Sequence, residues 1–182
     1  MQFRNYRHRT LHPIGKFLVS IKVTPNLITM LSLWFGLASI YFVFQHYFFF
    51  LLFGILHLVA DALDGTIASV KGASTFGTYF DYATDNIVAL LLIIKIGYFL
   101  HDYYAYLVAG LYLLVQVIYI FSQLRAPILF ARSVTMITLF LYIPPIISIT
   151  FYLPILVYLF AGVISVYSLG RQLQWFFEQK TG

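Results

Sequence analysis

Read along its length, the chain alternates long runs of apolar residues with short polar punctuation, and almost every run is long enough to cross a bilayer. A span needs about 20 residues for ~30 Å of hydrocarbon. On that rule the runs predict six membrane helices: 25–45, 48–70, 75–100, 103–123, 131–149 and 154–177. Their boundaries carry recognisable signals. Thr24-Pro25-Asn26 puts a capping residue before a proline that needs no N–H donor at the first helical position. Lys71-Gly72-Ala73-Ser74 and His101-Asp102 are tight turns, Arg125-Ala126-Pro127 ends the fourth run, and Pro154 opens the last. Pro144-Pro145 should kink the fifth helix, since neither ring nitrogen can donate. Upstream, Leu11, Ile14, Phe17, Leu18 and Ile21 recur at helical spacing among basic residues, which predicts a short interfacial amphipathic helix within residues 1–22. The expected fold is therefore all-α: one domain over residues 1–182, with a short N-terminal amphipathic juxtamembrane helix and a six-transmembrane-helix bundle over 25–177.

Composition agrees with a lipid solvent. Of the 182 residues 62% are hydrophobic and 9% charged, with 15 Tyr and 19 Phe, too little polar surface for a water-facing globule. The net charge of +5 does not point to nucleic acid, because no recognition module accompanies it. It reads as topology. Arg4, Arg7, Arg9, Lys16, Lys22, Lys71, Arg125, Arg132, Arg171 and Lys180 share one side of the predicted layout, and of the 11 cations Lys95 alone falls nearer the other. The positive-inside rule then places both termini in the cytoplasm of a multi-pass protein, at the inner membrane if the cell is bacterial. The basic start does not read as a cleaved signal, since its apolar run is span-length and more spans follow. There is no cysteine, hence no disulfide or thiolate metal site.

Against this background the acids stand out. Only six exist, and four of them, Asp61, Asp64, Asp81 and Asp85, fall within a 25-residue window inside predicted spans. Each would cost roughly 2.5–3.5 kcal/mol to insert. The first two are three residues apart and the second two four apart, so each pair lies on one helical face. The short turn at 71–74 makes the two helices antiparallel neighbours, and both pairs come to similar depth. Such a cluster would repel itself unless a cation neutralised it. Carboxylate oxygens without clustered His or Cys select Mg²⁺, Mn²⁺ or Ca²⁺, and Mg²⁺ is the usual partner of phosphate substrates. Gly65 and Gly77 strip side chains from the neighbourhood of the carboxylates, and Ala68 extends the small-residue strip by a turn. Metal and a narrow groove together suggest a metal-bridged nucleotide pyrophosphate.

The order Asp61-Ala-Leu-Asp64-Gly65-Thr-Ile-Ala68, then Gly77-Thr-Tyr-Phe-Asp81-Tyr-Ala-Thr-Asp85, resembles the signature of the CDP-alcohol phosphotransferase family, D-x-x-D-G-x-x-A-R followed by G-x-x-x-D-x-x-x-D. Thr24-Pro25-Asn26-Leu27-Ile28-Thr29 is similar to the opening of that family's first span. The resemblance implies an integral-membrane CDP-alcohol phosphatidyltransferase of phospholipid biosynthesis, Mg²⁺-dependent with Mn²⁺ as a second ion. It would move a phosphoalcohol group from a CDP-linked lipid donor such as CDP-diacylglycerol to an alcohol acceptor, releasing CMP. It implies metal binding by Asp61, Asp64 and Asp81, a general base in Asp85 that also touches metal, and a homodimer among membrane lipids. Donor contacts would come from Asp61, Gly65, Ala68, Ser69, Lys71 and Gly77. Ser69 stands where the family places Arg, and Lys71, two residues on, is the candidate substitute. Arg125 and Arg132 are candidates for an anionic group of the acceptor, with Arg171 a third.

Two other functions fit parts of the pattern. Intramembrane acids also line the paths of small cation transporters, although the internal repeats of common transporter folds are not visible here. A headgroup transferase of the CDP-choline or CDP-ethanolamine type, acting on a lipid alcohol, would need the same carboxylates. Outside the cluster, His57 reads as a packing histidine, and Gln116 and Gln123 as interhelical hydrogen-bonding amides.

Overall fold

The computed structural model describes residues 13–72, 74–129 and 152–181. All regular structure among them is helical. Residues 13–20 form a short helix, α1, and five long helices follow: α2 (Pro25–Phe42), α3 (Tyr47–Lys71), α4 (Thr75–Leu100), α5 (Tyr103–Phe121) and α6 (Leu153–Thr181). Each of the five is long and apolar enough to cross a membrane. Together they mark a multi-pass membrane protein. The fifth span expected from sequence, 131–149 with its proline pair, lies outside the described residues, as do Arg132 and the start of the amphipathic segment.

Helix ends fall where local chemistry predicts. Pro25 occupies the first turn of α2, with Thr24 extended before it and making no side-chain cap bond. Gly72 ends α3 at φ 93°, a conformation that costs a residue with a Cβ far more than glycine. Ser74 caps α4, its Oγ accepting from the N–H of Gly77 at 3.0 Å. Asp102 caps α5 by accepting from Tyr104 N at 3.0 Å. The apolar ends of α2 and α5 leave little choice but tight reversals: His46 is extended before α3, and Gln123 and Leu124 turn the chain with φ near +60°.

The chain divides into two compact units, Met1–Asp85 and Asn86–Gly182. In the first, α2 and α3 pack antiparallel, and their contacts run in register: Thr29 with Asp64, Ser32 with His57, Phe35 with Phe53, Ser39 with the carbonyl of Phe50, Phe42 with Phe49. One end of this seam is aromatic and the other polar. Its outward faces reverse the rule of water-soluble proteins, with Leu27, Met30, Trp34 and Tyr41 on α2 and Phe48, Ile55 and Val59 on α3 exposed while Thr29, Ser32, Ser39 and His57 are buried. In lipid this is the economical arrangement, because only polar groups need to be hidden and paired. α1 lies against α3 through Gly15, where an added Cβ would come within 2.8 Å of Thr66 Cγ2. Ile14, Phe17 and Ile21, three residues of the expected apolar stripe, are exposed.

In the second unit α5 packs on α6. Tyr112 OH donates to Asn86 Oδ1, Gln172 Nε2 donates to the carbonyl of Val115 at 3.2 Å, and Tyr158 OH donates to Asp102. Gln172 on α6 is fully buried and bridges these helices; Gln116 on α5 is buried too, whereas Gln123 is exposed in the turn after α5.

Candidate active site

The candidate site lies within the first unit, where the last turns of α3 meet the first turns of α4. Helical spacing puts Asp61 and Asp64 on one side of α3 and Asp81 and Asp85 on one side of α4. The fold then brings three of them together: Asp61, Asp81 and Asp85 each offer a carboxylate oxygen, all within 4.8 Å of one another, and each is part-buried. Three hard oxygen donors at that separation suit a divalent cation of the Mg²⁺, Mn²⁺ or Ca²⁺ type. Asp64 is set apart. It is 3% exposed, and Thr29 Oγ1 donates to its Oδ2 at 2.8 Å from α2.

Next to the carboxylates is a cavity of about 370 Å³, within the range of small-ligand sites. Three chain segments line it: Thr24, Pro25, Asn26 and Thr29 at the start of α2, Asp64, Gly65, Ala68, Lys71 and Gly72 at the end of α3, and Ser74, Gly77, Thr78 and Asp81 at the start of α4. Asp81 belongs to both the carboxylate group and the cavity wall. Two helix N-termini, those of α2 and α4, and the ammonium-bearing Lys71 favour negative charge there, while the acids favour a cation. A cavity so lined is matched to an anion that carries its own metal, as a nucleotide pyrophosphate does.

The two glycines of the sequence pattern separate in role. A Cβ at Gly65 would meet nothing within 4 Å, so its missing side chain is cavity space. At Gly77 a Cβ would sit 3.0 Å from both Asn26 Oδ1 and Ser74 Oγ, so there glycine lets α4 approach the start of α2. Ala68 and Lys71 line the cavity. Ser69 does not; it is exposed, and its Oγ donates to the carbonyl of Thr66 at 2.7 Å.

The sequence model of the family described as CDP-alcohol phosphatidyltransferase matches residues 22–170, most of the chain, and includes every residue of this site. The chain belongs to the CDP-alcohol phosphatidyltransferase family. Membership implies transferase activity of this general kind, with a CDP-alcohol donor, an alcohol acceptor and a role in phospholipid biosynthesis. Divalent metal is general in the family, and the three-carboxylate group is a cluster that could hold such an ion. No individual curated protein is matched by the chain.

Other residues of this transferase singled out in the sequence stand elsewhere. His57 is 1% exposed, with Nδ1 at 2.8 Å from Ser32 Oγ and 2.9 Å from the Ser32 carbonyl, the setting of a packing histidine between α2 and α3. In the second unit, Arg171 on α6 lines a smaller cleft of about 200 Å³ with Ser168, Tyr167 and residues 127–129. Arg125 is exposed after α5 and does not line that cleft. Thr29 and Asn26 are among the cavity residues that motif reasoning left without a role. Their signal was present in the sequence, as polar residues one turn apart at the start of a span.

Proposed function

We propose that this chain is a metal-dependent phosphatidyltransferase that uses a CDP-linked lipid such as CDP-diacylglycerol as donor and an alcohol as acceptor, releasing CMP. The observation that carries the reading is the shared position of Asp81, which joins a three-carboxylate group to a cavity bounded by two helix N-termini and Lys71. Asp61, Asp64, Asp81 and Asp85 would hold the ion, Mg²⁺ first and Mn²⁺ second by the chemistry of phosphate substrates. When bound, it would neutralise the pyrophosphate and stabilise the leaving CMP.

In the proposed reaction the acceptor hydroxyl attacks the lipid-bearing phosphorus, a new P–O bond forms, and the bond to the CMP oxygen breaks. Asp85 takes the hydroxyl proton. Gly65 and Ala68 give the nucleotide close approach to α3, and Gly77 holds α4 against α2. Lys71 supplies the cation that Ser69, placed outside the cavity, does not. Arg125, Arg132 and Arg171 are assigned to an anionic group on the acceptor. α1 is taken to lie in the membrane interface with Ile14, Phe17 and Ile21 toward lipid. By the positive-inside rule both termini would face the cytoplasm, with the chain in the inner membrane if the cell is bacterial. The chain acts as one catalytic domain, and we extend to it the homodimer that the resemblance implies.

The test is direct. Purified protein is supplied with Mg²⁺, labelled CDP-diacylglycerol and, one at a time, glycerol 3-phosphate, inositol phosphate or serine, and CMP is followed. Release that requires both the ion and one acceptor is the expected result. No release with any acceptor, but transfer from CDP-choline or CDP-ethanolamine to a lipid alcohol, would reassign the enzyme as a headgroup transferase built on the same carboxylates.

A further inference from the structure

Asp64 has a neutral partner presented from α2. Thr29 Oγ1 approaches Asp64 Oδ2 at 2.8 Å, and both residues are 3% exposed. The same hydroxyl lies 3.1 Å from the carbonyl of Pro25, one turn earlier. A hydroxyl has one proton to give, and the shorter contact to an ionised acceptor takes it. Thr29 is also a poor candidate for idle motion. Its β-branched side chain is restricted at χ1 in a helix, and the contact back to Pro25 narrows the choice further. The direction of its Oγ1 is therefore set by the backbone of α2.

We propose that Thr29 is a positioning residue for metal selectivity: by donating to Oδ2 of Asp64 it makes that oxygen the poorer metal ligand, disfavours bidentate binding and so favours Mg²⁺ or Mn²⁺ over Ca²⁺. The inference rests on the metal-dependent reading above. Asp64 lines the cavity beside Asp81, and Asp81 and Asp61 are close enough to act on it electrostatically. A small ion in near-octahedral geometry, with ligands at about 2.0–2.1 Å, uses carboxylates one oxygen at a time; Ca²⁺ takes six to eight oxygens and readily accepts bidentate carboxylates. Tying back one oxygen penalises the larger ion. The hydroxyl never needs to touch metal or substrate to do this.

The experiment reads binding rather than turnover. The thermal unfolding midpoint of the full-length protein in detergent is followed while Mg²⁺, Mn²⁺ or Ca²⁺ is titrated. Wild type is compared with Thr29→Val, Thr29→Ser and the same pair in an Asp64→Asn background. In Thr29→Val the Mg²⁺ concentration for half the shift should rise about tenfold, the scale typical of residues that orient metal ligands, while the Ca²⁺ value moves less. Thr29→Ser should behave as wild type. In the Asp64→Asn background Thr29→Val should add nothing, because the two residues act through one bond. An unchanged Mg²⁺-to-Ca²⁺ ratio in Thr29→Val overturns the proposal, as does a Thr29→Ser variant that behaves like the valine. If Thr29→Val does not fold, Thr29→Cys, a weak donor of similar size, carries the same expectations. A shift that is present and equal in wild type and Thr29→Val removes only the role of Thr29. No shift with any divalent ion in wild type removes the metal reading and this inference with it.

Discussion

Asp102 and the carboxylate group of Asp61, Asp81 and Asp85 show two opposite uses of an acid in an apolar chain. Asp102 sits at a helix start and accepts from Tyr104 N and from Tyr158 OH. It is an acid surrounded by donors. The other three converge on one another within 4.8 Å. Neutral donors satisfy the first; the second is an arrangement that a bound cation would stabilise, as proposed above. The contrast teaches that an acid in such a chain declares its use through the company it keeps, more than through its burial. Asp64 holds both kinds of company, with a hydroxyl on one oxygen and the cavity beside it.

Four substitutions can break that contrast. The largest effect is expected at Asp81, common to the carboxylate group and the cavity: Asp81→Asn should reduce CMP release by more than about a thousandfold and abolish the Mg²⁺-dependent thermal shift. Retention of either would separate the carboxylates from the chemistry. Asp85→Asn should lower turnover by about 10²–10⁴, the range of general-base loss, yet leave metal-dependent binding of a CDP-linked donor largely intact in equilibrium titration. Substantial turnover in that variant would remove Asp85 from the base role. Lys71→Ala should raise the donor KM about tenfold, as expected for loss of one charge-assisted contact, with little change in kcat. An unchanged KM would mean that Lys71 does not stand in for the arginine missing at Ser69. Smallest on activity is Asp102→Ala, expected to leave CMP release within about twofold. Its cost is in stability, about 1–2 kcal/mol from the lost helix cap, read by denaturant or thermal unfolding.

Much of this was legible in the chain because helices enforce short-range rules. The ends of α4 at Thr75 and Leu100 follow from Ser74 and Asp102 flanking an unbroken apolar run, and three- and four-residue spacing is enough to put each aspartate pair on one face. What spacing cannot provide is rotation of one helix about its axis against another. That rotation separates Asp64 from its three fellows and presents it to Thr29, 35 residues away in sequence. The glycines illustrate the same limit: Gly65 and Gly77 look alike as gaps beside acids, and only the third partner, α2, divides them into cavity space and packing contact. Gln172 went unremarked for a related reason, since an amide on a span declares a partner only when the carbonyl of Val115 is opposite it.

Gly15 adds a consequence for where the reaction takes place. The backbone of α1 rests on Thr66, two residues from Asp64, with no side chain between them to act as a spacer. Were α1 to lie in the lipid surface as proposed, that contact would work as a mooring: the height at which the short helix rides would set the height of the α3 wall of the cavity. The reacting groups of a water-soluble nucleotide and a bilayer-bound lipid must meet at one level. On that proposal a single absent side chain, at Gly15, would help to set it.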